Sequence, residues 1–196
     1  MKAITSQDVK KLRDETGVGM MDAKRALTEA HGDVQKAIQI LRTQGQKLLA
    51  KKQARSATEG WVGTYTHPNG TIASMVQVSC ETDFVARSDA FQEFVHQLAM
   101  HVAAANPTYL TPTDVPADVV AHERSIAHEA ATREGKPAPV IERIVAGKLE
   151  KFYAEQCLLK QAFVMDDART IEALVAEHVQ KLGEKIEITR FARFAL

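Results

Sequence analysis

The sequence predicts an α+β protein, and three observations carry that prediction. Apolar residues recur at helical spacing in three short segments before residue 45. The period then changes to two on either side of "PNG" (68–70). Two long helical patterns later flank "GKPAP" (135–139).

The elements follow in order. "SQDVKKLRDET" places Val9 and Leu12 three apart. "MMDAKRAL" places Met20, Ala23 and Leu27 on one face, with Met21 and Lys24 beside them. "DVQKAIQILR" repeats the spacing with Val34, Ala37, Ile38 and Leu41. "TGVG" and "HGD" separate these helices, Asp33 is a natural N-cap for the third, and Gly45 is the expected stop after it. The result is a three-helix module over residues 1–45 with a thin core. "KLLAKKQARSATEG" carries four cations and no apolar face strong enough to bury, so residues 46–59 read as a solvated basic linker with room for some helix.

The remaining 60–196 form the predicted core. "WVGTYTH" and "TIASMVQVS" alternate around Asn-Gly, the strongest short hairpin signal. In "SDAFQEFVHQLAMHVAAAN" the residues Phe91, Phe94, Val95, Leu98, Ala99 and Val102 share a helical face, with Ser88 as N-cap; that face belongs on the hairpin. Residues 116–156 read as a helical hairpin whose second arm aligns Ile141, Ile144, Val145, Leu149 and Phe152. A helix, "TIEALVAEHVQKL", and a strand, "KIEITRFARFAL", close the chain; the strand adds to the hairpin as the third of an antiparallel sheet.

Composition narrows the function. The chain has 196 residues, 45% of them hydrophobic and 26% charged, which is ordinary for a globular protein. It has no apolar run of membrane-spanning length, and its N-terminus lacks a secretory h-region, so a soluble cytoplasmic protein is expected. Zero net charge conceals a split. Residues 1–58 hold 12 Lys and Arg against 6 Asp and Glu, a net of +6, whereas 59–196 hold 13 against 19, a net of −6. The N-terminal part suits an acidic partner surface, without the basicity or aromatics that would argue for nucleic acid.

No constellation carries chemistry. Cys80 and Cys157 fit no disulfide framework or zinc spacing. Cys80 as a nucleophile, with His67 or His96 as base, is disfavoured because Glu81 and Asp83 beside it raise a thiol pKa. The histidines lack metal spacing, "TGVGMM" lacks the ending of a phosphate loop, and "NGT" (69–71) is more simply a turn than a glycosylation site. No cofactor and no metal are expected, and a binding role is favoured over an enzyme. One stretch stands apart. In "CETDFVAR" (80–87) a phenylalanine sits where a strand passes into a helix. Apolar pattern alone would place Phe84 in the core.

Three stretches together carry a resemblance. "LRDETGVGMMDAKRAL" (12–27) resembles the N-terminal signature of elongation factor Ts, the exchange factor for elongation factor Tu. "VQVSCETDFVAR" (76–87) resembles its second signature, and "EGKPAPVIERIVAGKLEKFYAEQCLLKQAFVMDD" (134–167) is similar to its helical hairpin and the segment after it. The resemblance implies a ubiquitin-associated-like module, a linker and an α+β core with a projecting hairpin. It also implies a mechanism. The turn Thr82-Asp83-Phe84-Val85 enters elongation factor Tu beside its nucleotide site, with Phe84 wedged between two G-domain helices and Asp83 directed toward the magnesium region. Arg13, Met20, Met21 and Lys24 match positions at which the family's N-terminal module grips the G domain. His67 matches a contact with a further domain. "QKLGEKIEITR" resembles a run that makes Leu182 and Gly183 weaker candidates. Longer members carry two core halves in tandem, and this chain shows one hairpin-plus-helix unit, so a homodimer is expected. The alternative rests on residues 1–45 alone, whose resemblance to a ubiquitin-associated domain implies a module that binds a ubiquitin-like protein.

Overall fold

A computed structural model describes residues 4–196. It divides into two compact units. The first comprises the chain up to Gly63, Gln77–Val95 and Glu172–Thr189, and the second comprises Thr64–Val76, His96–Ile171 and Arg190–Leu196.

The first unit opens with α1 (Ser6–Thr16), α2 (Met20–Glu29) and α3 (Val34–Lys52). Thr5 and Asp8 form a reciprocal capping box at the start of α1, satisfying two amides that a helix N-terminus leaves unpaired. Gly17 ends α1 at φ 70°, and its N–H returns to the carbonyl of Arg13. Asp33 caps α3 by accepting the Lys36 N–H. Val9, Leu12, Ala23, Ala26, Leu27, Ala37 and Leu41 close the small core of the three helices.

The expected stop at Gly45 does not occur. α3 continues to Lys52, so most of the segment read as a linker is helix. The reason is tertiary. A Cβ at Gly45 would lie 3.1 Å from the carbonyl oxygen of Ala176, so this glycine permits close helix packing rather than chain reversal. Ala176 belongs to α8 (Ile171–Leu182).

The three-stranded antiparallel sheet has the order β1 (Glu59–Thr66), β2 (Ile72–Cys80), β5 (Ile186–Ala195), so the last strand joins the hairpin as expected. Its strands, like α5 (Asp89–Ala105), contribute residues to both units. The apolar stripe of α5 is fully buried through Phe91, Phe94, Val95, Leu98, Ala99 and Val102. A Cβ at Gly63 would stand 2.7 Å from Val95 Cγ1, so β1 approaches α5 at a distance that only glycine allows. Phe94 stacks on His178 of α8, with ring centroids 3.9 Å apart.

In the second unit α6 (Ala117–Arg133) and α7 (Ala138–Gln156) pair as the helical hairpin, packed through Ala127, Ala131, Ile141 and Val145. A two-stranded sheet that the sequence pattern does not reveal, β3 (Ala162–Phe163) with β4 (Asp166–Thr170), follows them. The Asn69 side chain in the β1–β2 loop accepts the N–H and the hydroxyl of Thr71, the hydrogen bonding of a turn. No described helix is long and apolar enough to cross a membrane.

Candidate functional site

β2 delivers the chain to Cys80, and one short helix, α4 (Asp83–Ala86), precedes α5. The segment expected as a turn is therefore a single helical turn. Thr82 is its N-cap: extended at φ −130°, ψ 154°, it accepts the Val85 N–H on its hydroxyl oxygen at 3.4 Å. Ser88 then caps α5 by accepting the Phe91 N–H. This geometry sorts the side chains. Ala86 is buried, Val85 is half-buried, and Phe84 points away from the unit with 83% of its surface exposed. The core position that apolar pattern favours for Phe84 is corrected. One helical turn carries residues 84 and 86 to different faces, and the inner face is taken by the alanine. Asp83 lies beside Phe84 and pairs with Arg87 at 3.3 Å across a solvated surface.

Leu182 and Gly183 end α8. Leu182 is half-buried, while Gly183 is exposed at φ 74° and its N–H closes the helix on Val179. Hydrogen bonds join this loop to the start of α4. The Glu184 carboxylate accepts the N–H groups of Glu81 and Thr82 and the Thr82 hydroxyl. The Glu81 carboxylate accepts the Lys185 N–H and pairs with Arg55 at 3.3 Å. These contacts hold its pKa below the usual carboxylate value, chiefly through the Lys185 amide. Lys52 donates to the Gly183 carbonyl.

In the three-helix module, Met20 and Met21 are exposed by 44% and 73%, so neither belongs to the core that Ala23 and Leu27 form. Lys24 is exposed, and Arg13 is partly exposed and paired with Asp14 at 2.5 Å. Gly17, at the turn between α1 and α2, faces the aliphatic chain of Lys181, which brings that turn against the end of α8. His67 belongs to the second unit. Its backbone closes the β1–β2 loop through bonds with Ile72 and Gly70, and its exposed ring meets the Tyr65 hydroxyl at 3.2 Å.

Cys80 is wholly buried, and its thiol donates to the Thr82 carbonyl. Its pKa is pushed up to about 11, first by burial and then by Glu184. Burial and Glu184, rather than the Glu81 and Asp83 that the sequence suggested, lead this rise. A protonated, enclosed thiol is no nucleophile. Among the described residues no group of three His, Cys, Asp or Glu is arranged to hold a metal ion.

The sequence singled out residues 182–183 but missed Glu184, Glu81 and Lys52, which bind that loop to the turn. Glu184 does stand within the run "LGEKI" that carries the resemblance there. No local pattern distinguishes it, because its partners lie about a hundred residues away.

Comparison with known proteins supplies the family. A family model described as Elongation factor TS matches residues 3–196. An elongation factor Ts of Caldanaerobacter subterraneus subsp. tengcongensis is 52% identical over 97% of this chain and 96% of its own. That of Moorella thermoacetica is 51% identical over 97% of this chain and 94% of its own. That of Anaeromyxobacter dehalogenans strain 2CP-1 is 50% identical over all of this chain and 90% of its own. A match of this depth over the whole chain, on a fold with the expected sheet, helices and hairpin, places the protein in the elongation factor Ts family of translation elongation factors.

Proposed function

We propose that this protein is a guanine nucleotide exchange factor that binds elongation factor Tu carrying GDP and promotes GDP release. The observation that carries the reading is Phe84. A phenylalanine exposed by 83%, on a single helical turn tied down at both ends, supports a role in filling a partner's pocket. Buried aromatic anchors are common hot spots, each costing about 2 kcal/mol or more when truncated. Asp83 is the polar tip beside it, Thr82 and Val85 shape the turn, and Leu182 and Gly183 flank it. Arg13, Met20, Met21 and Lys24 grip the G domain from the N-terminal module, and His67 meets a further domain. No covalent step is required. Magnesium is held by few protein ligands, so displacing its surroundings loosens the nucleotide. Linkage requires the converse: nucleotide weakens binding of the factor by the same ratio, and GTP then ejects it.

The protein works in the cytoplasm, without a cofactor and without direct contact with nucleic acid or membrane. It acts as a homodimer in which two single cores stand in for the tandem halves of longer members. Sedimentation at micromolar concentration tests the dimer, and a monomer would refute it.

The deciding experiment follows release of a fluorescent GDP analogue from elongation factor Tu with and without this protein. Acceleration is expected, and an unchanged rate would sink the reading. The rival, a module that binds a ubiquitin-like protein, predicts retention on that protein and none on elongation factor Tu.

A further inference from the structure

We propose that Glu184 is the positioning residue of the exchange turn, its carboxylate fixing residues 81–82 so that Phe84 stays held outward. The inference rests on the exchange reading above and adds a residue outside the contact set. β2 ends at Cys80 and α4 begins at Asp83. The amides of Glu81 and Thr82 fall between the ladder and the helix, where neither pattern supplies a partner. Glu184 supplies both: one carboxylate oxygen accepts the Glu81 N–H at 3.1 Å and the Thr82 N–H at 3.0 Å.

The other oxygen accepts the Thr82 hydroxyl at 2.7 Å. That bond commits the hydroxyl proton to Glu184 and leaves a lone pair for the Val85 N–H, which Thr82 caps. A single carboxylate thus sets both the backbone entering α4 and the rotamer of its cap. The dependence is strong because α4 has only four residues, far below the length at which a helix sustains itself. Downstream, Ala86 is buried and Ser88 opens α5. Upstream, the anchor is Glu184.

The clamp is reciprocal. Glu81 in turn accepts the Lys185 N–H, so each segment's carboxylate holds the other segment's backbone. Residues 81–85 and 182–185 therefore present themselves as one body. This gives Leu182 and Gly183 a reason to belong with the turn.

The test compares Glu184→Ala and Glu184→Gln in the full chain by two readouts. The first is amide hydrogen exchange of the free protein. In Glu184→Ala the amides of Glu81, Thr82 and Val85 are expected to exchange on the order of tenfold faster, with those of α5 unchanged. The second is stimulated GDP release, expected to fall on the order of tenfold in Glu184→Ala. Glu184→Gln, whose carbonyl oxygen still accepts both backbone amides, is expected to remain within about threefold of wild type. Glu184→Asp keeps the charge but shortens the reach, and it replaces Glu184→Ala if that variant does not fold. Unchanged amide exchange, faster exchange with wild-type release, or a glutamine variant as impaired as the alanine would each overturn the assignment. A wild-type protein that fails to stimulate release would overturn the exchange reading alone; the amide arm would still decide whether Glu184 holds the turn.

Discussion

The ammonium group of Lys52 donates a hydrogen bond to the carbonyl oxygen of Gly183, tying the last turn of α3 to the loop that ends α8. Lys52 is only 6% exposed, unusual for a lysine, and its nitrogen also lies 3.9 Å from the Glu81 carboxylate. A buried cation persists only when its partners offset the loss of water.

Lys52→Met preserves the aliphatic stem and removes the donor. The Gly183 carbonyl then loses its partner, and Glu81 keeps Arg55 and the Lys185 amide. Unfolding in urea is expected to show a loss of about 1–3 kcal/mol. An unaltered midpoint would mean that the Lys52 contacts do not contribute to stability.

Phe84→Ala separates function from folding. The ring is mostly in water, so its removal is expected to change unfolding free energy by no more than about 0.5 kcal/mol. Stimulated GDP release is expected to fall roughly thirtyfold, the equivalent of about 2 kcal/mol at a buried aromatic anchor. Wild-type release with an intact fold would remove the wedge from the mechanism.

Much of the fold was legible because it is written in local periods. Two-residue alternation around Asn69-Gly70 marks the hairpin, helical spacing marks α5, and Asp33 and Ser88 announce their helices by capping. What escaped is non-local. Gly45 resembles a helix stop until its approach to Ala176 is seen, and Lys52 resembles a linker cation until Gly183 is found beside it. The same limit applies at the site. Phe84 lies in an apolar run that fits the core, and only the burial of Ala86 beneath α4 turns the ring outward. Glu184 is a surface-type residue in sequence, and its role arises from two backbone amides supplied by another part of the chain.

Cys80 offers a test of the excluded chemistry. With its pKa pushed up to about 11, on the order of one thiol in a thousand is ionised at pH 8, and burial denies reagents access to it. Cys157 is also buried and its pKa is raised by burial first. Iodoacetamide at pH 8 is expected to leave both cysteines unmodified in the native protein and to label both in urea. Cys80→Ser keeps a donor toward the Thr82 carbonyl and is expected to retain stimulated release. Rapid labelling of native Cys80 would contradict the enclosed thiol.

His101 sets an acid limit on the second unit. Its ring is fully buried, with Nε2 3.0 Å from Gln161 Oε1 and Nδ1 accepting the Val164 N–H at 3.3 Å. These partners assign the neutral tautomer with its proton on Nε2. Gln161 in turn donates to the carbonyls of Ala105 and Glu155, so the pair braces α5 and α7 near their C-terminal ends. Burial lowers the His101 pKa, and the Gln161 bond only partly opposes that. Protonation would also set an N–H against the Val164 N–H. The folded pKa lies below the unfolded value of about 6.5, so on acidification the unfolded chain binds the proton first. The stabilisation is full above that pH and declines as pH falls through the folded pKa. Unfolding free energy measured from pH 7 to pH 5 is therefore expected to drop more steeply for wild type than for His101→Asn, which is less stable at pH 7 but carries no titrating ring. Parallel declines would show that His101 does not govern this acid sensitivity.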